Sequence, residues 1–206
     1  KKVFVIYNSV DTENILRLYD EPIEMAIEKD GFVVASIGRL TMEKNLSLLI
    51  EAIALVKRSH KVKLIIIGDG NERDRLKALS EEKGVSNDVV FLGFQDNPYK
   101  FLRMVDIYVH TCLVEGFGNV IIEAMTCGLP IIATDCPYGP REILKDGEFG
   151  LLVPMDDKQA LADAMVKLMV NKELREELSK RSQQRASDFS IQRMVSIYEG
   201  ILSQKG

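Results

Sequence analysis

Phe32-Val33-Val34-Ala35-Ser36-Ile37 is followed by Gly38-Arg39-Leu40-Thr41-Met42-Glu43-Lys44-Asn45, an apolar stretch from Leu46 to Ala54, and Val62-Lys63-Leu64-Ile65-Ile66-Ile67. This passage reads as strand, loop, helix, strand. The two outer runs are short, apolar and rich in β-branched residues, as buried strands are. Between them, Leu46, Leu49, Ile50, Ile53 and Ala54 follow the i, i+3, i+4, i+7 spacing of one helical face. A strand, a crossover helix and a second strand form a βαβ unit and place the two strands parallel.

The same rhythm continues in both directions. Val89–Leu92, Ile107–His110, Ile131–Ala133 and Leu151–Val153 are further strand candidates. Several are apolar throughout, the pattern of strands covered by helices on both faces. The intervening segments carry helix signals. Glu72 to Lys83 is a charged helix stopping at Gly84, Asn97-Pro98 reads as an N-cap followed by proline at the first helical position, and Leu161, Ala164, Met165, Leu168 and Met169 form a stripe. Ser190 caps a last helix whose stripe is Ile191, Met194, Val195, Tyr198, Ile201 and Leu202. The expected fold is α/β: a Rossmann-like, doubly wound parallel sheet with helices on both faces, over residues 31–170. Residues 1–30 hold one strand-like run at 3–7 and then an acidic, irregular stretch around Pro22. Residues 171–206 read as consecutive helices with no strand between them.

Composition narrows the functional class. The net charge of −4 comes without a basic block, which argues against a nucleic-acid partner. No apolar run approaches the roughly 20 residues that span a bilayer. The three cysteines, Cys112, Cys127 and Cys136, have no CxxC spacing and read as reduced thiols of a cytoplasmic protein, with Cys127 buried and inert. The two histidines, His60 and His110, have no thiol or carboxylate cluster at ligand spacing, so no protein-held metal and no cofactor is expected. The chain opens on Lys1 rather than methionine, which reads as the cut end of something longer.

In an open α/β sheet, ligands bind beyond the carboxyl ends of the strands, so the loops there carry the chemistry. In the loop after Ile37, Gly38 allows a close turn, and Arg39 and Lys44 bring two cations to a helix amino terminus that already favours anions. They read either as a diphosphate clamp or as solvated surface charges; GxxxxGK[ST] is absent. Gly68-Asp69-Gly70 begins like a dinucleotide fingerprint, but Arg73 stands where its third glycine belongs, so a tight turn is the better reading. Phe94-Gln95 offers an aromatic plane and an amide, and Phe94 alone reads as core. The strongest local signal is Glu115-Gly116-Phe117-Gly118-Asn119-Val120-Ile121-Ile122-Glu123. Its glycines bring backbone amides to face an anion at a helix start. Eight helical residues span roughly 12 Å, too far for Glu115 and Glu123 to flank one scissile bond. That distance suits two carboxylates gripping different parts of an elongated ligand. The plainer alternatives are a structural salt bridge for Glu123 and a solvated loop acid for Glu115. Arg141 and Glu142 read as a mutual pair.

At this loop the chain resembles the family-four glycosyltransferases of the GT-B fold, through Glu115, Gly116-Phe117-Gly118 and Glu123. Gly38-Arg39-Leu40 with Lys44, Gly68-Asp69-Gly70, Phe91-Leu92-Gly93-Phe94, Gly128-Leu129-Pro130 and Asp146-Gly147 with Gly150-Leu151-Leu152-Val153 resemble other blocks of that family in the right order. The resemblance implies the donor-binding half of a retaining transferase. Residues 1–30 would be the interdomain linker and opening segment, and 171–206 would return towards an absent amino-terminal, acceptor-binding domain. Arg39 and Lys44 would hold the donor diphosphate and, with Glu115 near the anomeric carbon, form the catalytic group. Gly38 and the segment Gly116, Phe117, Gly118, Asn119 would support the phosphate and sugar. Glu123 would accept the ribose hydroxyls, and Phe94 and Gln95 would line the base pocket. His110-Thr111-Cys112 departs from the Pro-Ser usual at that edge.

Cys136-Pro137-Tyr138-Gly139-Pro140-Arg141-Glu142 is most similar to bacterial transferases that build surface polysaccharides or lipid-linked oligosaccharides from uridine diphosphate sugars. The implied reaction passes a hexose or N-acetylhexosamine to a glycan or lipid-linked acceptor. It would take place in the cytoplasm, with any contact to the inner membrane face made through the absent domain. The fragment alone would transfer nothing. The competing readings are a GT-B-like nucleotide-sugar epimerase, for which no ordered acid–base set stands out, and a non-catalytic nucleotide-sugar-binding module.

Overall fold

The computed structural model describes residues 4–24 and 29–203. Six strands, β1 (Phe32–Ile37), β2 (Val62–Ile67), β3 (Val89–Gly93), β4 (Ile107–His110), β5 (Ile131–Thr134) and β6 (Leu151–Val153), make one sheet in the order β3-β2-β1-β4-β5-β6. Every pairing is parallel, and β1 and β2 are in register from Phe32 opposite Val62 to Ile37 opposite Ile67. All the strand candidates read within residues 31–170 are present, β3 and β5 each one residue longer at the carboxyl end. The helices, in chain order, are α1 (Thr12–Tyr19), α2 (Leu46–Val56), α3 (Arg73–Glu82), α4 (Asn119–Thr126), α5 (Pro140–Ile143), α6 (Lys158–Val170), α7 (Lys172–Ala186) and α8 (Ile191–Ser203).

Strand side chains alternate between two cores because successive Cβ atoms point to opposite faces. Val34, Leu64, Ile66 and Val109 pack with α2, α3 and α6 on one side. Val33, Ala35, Ile65, Ile67 and Tyr108 pack with α1, α4 and α5 on the other. This two-sided burial explains why the strands are apolar throughout rather than alternating.

The two ends differ from expectation. The stretch read as irregular contains α1, started by the Asp11 side chain accepting from the Asn14 amide at 3.0 Å and held by the buried Ile15. Of the strand-like run at 3–7, residue 3 lies outside the described residues, and 4–9 have no regular structure. Val10 forms a parallel bridge with Ser190, so the opening segment and the closing helices meet. Within residues 171–203 the two helices pack differently. α7 belongs to the domain's own packing, with Leu178 in one core and Ala186 in the other. Only α8 stands out, with no buried residue and with Tyr198 and Leu202 51% and 66% exposed. Ser190 caps it as expected, its Oγ accepting from the Arg193 amide at 3.3 Å. After Asn97-Pro98 the chain makes a 3₁₀ helix, Tyr99–Met104, with Asn97 Oδ1 accepting from the Tyr99 and Lys100 amides. Among the described residues, no helix is long and apolar enough to cross a membrane.

Candidate functional site

The strand order reverses between β1 and β4. The chain leaves β1 towards β2 and β3, then returns to β4 on the other side. The loops after β1 and β4 therefore part, leaving a crevice at the carboxyl edge where ligands of such sheets bind. The β1 loop is braced from behind by the Gly68-Asp69-Gly70 turn. A Cβ on Gly68 would lie 2.0 Å from the Gly38 carbonyl oxygen, so only glycine fits there. The Asp69 carbonyl accepts from the Leu40 amide at 3.0 Å, and Arg73 pairs with the Asp69 carboxylate at 2.9 Å. The tight-turn reading holds, and Arg73 acts as the turn's clasp.

The crevice brings Lys44 and Glu115 together. Lys44 Nζ lies 2.5 Å from Glu115 Oε2, and His110 Nε2, at the end of β4, lies 3.0 Å from the same oxygen. These side chains are largely withdrawn from solvent, His110 almost completely. The His110 hydrogen bond and the Lys44 ammonium hold the Glu115 carboxyl down at about 2, against the opposing pull of burial. For His110, burial works against the charged form, but hydrogen bonds to Cys112 and Glu115 outweigh it and raise the imidazole above its ordinary value. Further ties fix the loops: Thr111 Oγ1 donates to the Lys44 carbonyl at 2.8 Å, and the Leu113 amide donates to the Glu43 carbonyl at 2.8 Å. Glu115 is thus no solvated loop acid.

The sequence spacing suggested no ligand cluster, yet folding places donor atoms of His110, Cys112 and Glu115 within 4.8 Å of one another. The Lys44 ammonium already occupies a cation's place against Glu115.

Helix α4 opens on the same crevice. Gly118, at φ +98°, turns the chain into it and has no side chain to cap it. The Ile121 amide donates to the Gly118 carbonyl at 2.9 Å, and no side chain caps the first turn, the setting that favours an anion there. Phe117 is fixed by an aromatic cluster, stacked on Tyr7 at 5.4 Å and edge-on to Phe189 at 5.8 Å, and Asn8 Nδ2 donates to Asn119 Oδ1 at 3.4 Å. Glu123, midway along α4, is partnered by the Tyr99 hydroxyl and, among the described residues, by no cation, so the salt-bridge alternative finds no support there. Burial raises its carboxyl above the ordinary value despite that bond.

Gly38, Arg39, Asp69, Phe94, Gln95 and Pro98 line an adjoining cavity of about 240 Å³. Phe94 is 74% exposed, so it is not core, contrary to the reading from its own local sequence. Gln95 Nε2 donates to the Leu92 carbonyl at 2.9 Å, which orients its amide. Arg39 lines this cavity while Lys44 sits in the ion pair, so the two expected clamp cations belong to different groups. Arg141 pairs with Asp135 and Asp146, not with Glu142; its guanidinium reaches back to the β5 loop. A larger cavity of about 500 Å³ lies at the opposite, amino-terminal edge of the sheet, but its Lys57 and Lys61 are engaged by Asp88 and Asp30.

His110 and Tyr99 were missed as site residues by sequence reasoning. His110 could have been found as the last residue of a strand at the reversal point. Tyr99 had no such signal, because its contact with Glu123 depends on the path of the 3₁₀ helix.

The model of the family described as "Glycosyl transferases group 1" matches residues 20–185. The chain belongs to this family. It is 36% identical over 189 residues to the N-acetylgalactosamine-N,N'-diacetylbacillosaminyl-diphospho-undecaprenol 4-alpha-N-acetylgalactosaminyltransferase of Campylobacter jejuni, covering 92% of this chain and 50% of that protein. It is 34% identical over 206 residues to the lipopolysaccharide core biosynthesis glycosyltransferase LpsE of Rhizobium meliloti, covering 100% of this chain and 59% of that one. The crystal structure of HepE from Anabaena, in complex with UDP, superposes with a TM-score of 0.84 at 27% identity, covering 98% of this chain and 57% of HepE. This group 1 glycosyl transferase chain thus spans about half the length of the curated relatives it matches.

Proposed function

We propose that this chain is the donor-binding half of a retaining glycosyltransferase and holds a uridine diphosphate sugar in the crevice between the β1 and β4 loops. The observation that carries this reading is the Lys44–Glu115 pair at the strand-order reversal, beside the uncapped amino end of α4. The diphosphate draws on Lys44, Arg39 and the α4 amides, which then stabilise the departing charge as the sugar leaves. Glu115, kept ionised by its two neighbours, accepts from sugar hydroxyls near the anomeric carbon. Glu123 accepts from the ribose hydroxyls, with Tyr99 orienting it. Phe94 and Gln95 line the base pocket. Lys44 and the amides supply the positive charge, so the reading needs no protein-held metal.

The HepE complex with UDP supports the choice of nucleotide, and the relatives' names support a sugar transferred to a glycan or lipid-linked acceptor. The acceptor belongs to a second domain facing the crevice. The exposed stripe of α8 and the opening segment, where Tyr7 lies against Phe117, are the surfaces that would meet it. Without that domain, water is not excluded and no acceptor is positioned, so this chain alone transfers no sugar.

Calorimetry with uridine, UDP, GDP and ADP tests the reading. UDP binds at least about tenfold more tightly than uridine, since each charge-assisted contact contributes about 1.5–3 kcal/mol. Equal affinity for uridine and UDP defeats the diphosphate assignment, and preference for GDP or ADP defeats the base assignment.

A further inference from the structure

Cys112 and Cys136 have no role in the donor site, yet their sulfurs are in contact. Cys112 lies in the loop after β4 and Cys136 in the loop after β5, neighbouring strands of the sheet. Their Sγ atoms are 2.6 Å apart. The Cys112 backbone is held for this encounter. The Cys112 amide donates to Thr134 Oγ1 at 2.8 Å, and that hydroxyl donates back to the Cys112 carbonyl at 2.9 Å, locking the β4 loop onto the end of β5. Cys112 is fully buried, whereas Cys136 lines a surface cavity of about 370 Å³ beside Pro137, Tyr138 and Met155. Cys136 is itself only 3% exposed, but it forms part of the wall of that cavity, so a small reagent approaches the pair from the Cys136 side.

We propose that Cys112 and Cys136 form a reversible disulfide, by exchange with a small-molecule disulfide, and that this bond weakens the donor site. Cys136 is the attacking thiol: the hydrogen bond from Cys112 lowers its pKa, and the same bond raises that of Cys112. The Cys136 thiolate attacks one sulfur of RSSR, breaking its S–S bond. The departing RS⁻ takes up a proton, leaving RSH and a Cys136–S–S–R mixed disulfide. Cys112 then gives up its proton to solvent and attacks Cys136 Sγ, and the second RS⁻ leaves as RSH. Two protein thiols are oxidised and one small disulfide is reduced to two thiols.

The consequence passes through His110, which hydrogen-bonds both the Cys112 thiol and Glu115. Oxidation turns the Cys112 sulfur, which accepts from the His110 ring, into a disulfide sulfur, a poorer acceptor, so His110 and through it Glu115 are held less firmly. The effect on ligand affinity rests on the nucleotide-sugar reading above; the formation of the bond and the loosening of the loop do not.

The test treats the chain with oxidised glutathione. Thiol titration in denaturant, with peptide mapping, is expected to leave Cys127 alone of the three cysteines free, with Cys112 and Cys136 joined. Amide hydrogen exchange of residues 111–118 rises, UDP-sugar affinity falls about tenfold, and dithiothreitol reverses both. Cys136→Ser binds like the parent under reducing conditions and does not respond to the oxidant. The proposal is overturned if the three thiols stay free, if glutathione remains attached to Cys136 without exchange, or if the bond forms while loop exchange is unchanged. A reduced chain that binds no UDP-sugar refutes the nucleotide reading instead, while the mapping and exchange data still decide the disulfide.

Discussion

The crevice has two halves that are built differently. On the inner side, Lys44, Glu115 and His110 satisfy one another before any ligand arrives, withdrawn from solvent and tied through both loops. On the outer side, Phe94 stands mostly in solvent, and Arg39 is an exposed residue lining the open cavity. The inner half is rigid because burying charges requires partners; the outer half can stay open because its planar and aliphatic surfaces cost little to expose one at a time. Under the proposed function, the inner half positions the reacting sugar and phosphate, and the outer half meets the base. Substitution on the inner side should cost stability and binding together, and on the outer side binding alone.

Lys44→Ala presses this contrast hardest. It removes the proposed phosphate contact and leaves Glu115, a largely buried carboxylate, with one partner fewer. UDP affinity is expected to drop about 100-fold, near 3 kcal/mol at the upper end for a charged hydrogen bond, and the melting temperature falls as well. Unchanged stability would mean that the inner half is not held together by this pair. Glu123→Ala comes next, at about 2 kcal/mol of nucleotide affinity. Because Glu123 has a phenol rather than a cation as partner, the domain stays folded. A variant that melts far below the parent yet binds normally returns Glu123 to a purely structural role.

Phe94→Ala isolates the outer half. The ring is 74% exposed, so its loss leaves the melting temperature within a degree or two of the parent. UDP affinity falls by about 1.5 kcal/mol, within the range for base–aromatic stacking, while binding of pyrophosphate is untouched. Equal losses for UDP and pyrophosphate would place Phe94 outside the base pocket.

The sheet was legible because its signal is local: six short apolar runs, with helical spacing between them, report burial on both faces. The ends were less so. α1 is short and depends on one cap and one buried isoleucine, Ile15, which composition hides under acidic neighbours. α7 and α8 look alike as helical text, and only packing separates the one that enters the core. For the site, motif order pointed to Glu115, Lys44 and Glu123 as candidates, but periodicity does not reveal that Lys44 and Glu115 touch. That contact joins residues 71 positions apart across the strand-order reversal. Phe94 failed as a core residue for a related reason: an aromatic side chain just beyond a buried strand belongs to the loop's geometry, not to the strand's pattern.

The smallest effect expected is a pH signature of the inner half. Glu115 sits at about 2 in the folded chain against an ordinary 4.5, so its contribution is complete above about 4.5 and is lost as the pH falls towards 2. His110 has the opposite sign. Its folded value is raised above 6.5, so the imidazolium's contribution is complete below 6.5 and is lost as the pH rises past the raised value. The pair therefore stabilises the fold most in the window between, at roughly pH 4.5–6.5. Glu115 retains some solvent access, so screening reduces its share to about 1 kcal/mol or less, a shift of roughly 2–4 °C in a domain of this size. The readout is a difference, because other carboxylates titrate in the same acid range. Melting temperatures of the parent and of Glu115→Gln, taken from pH 2.5 to 8, should separate most within that window and converge at the acid end, where the parent's carboxylate is itself becoming neutral. Glutamine keeps the shape and one acceptor oxygen but carries no charge for Lys44 or His110, so it isolates the charge from the packing. Two parallel curves across the range would show that the charge of Glu115 contributes nothing to the fold, and that the inner half is held by its loop hydrogen bonds alone.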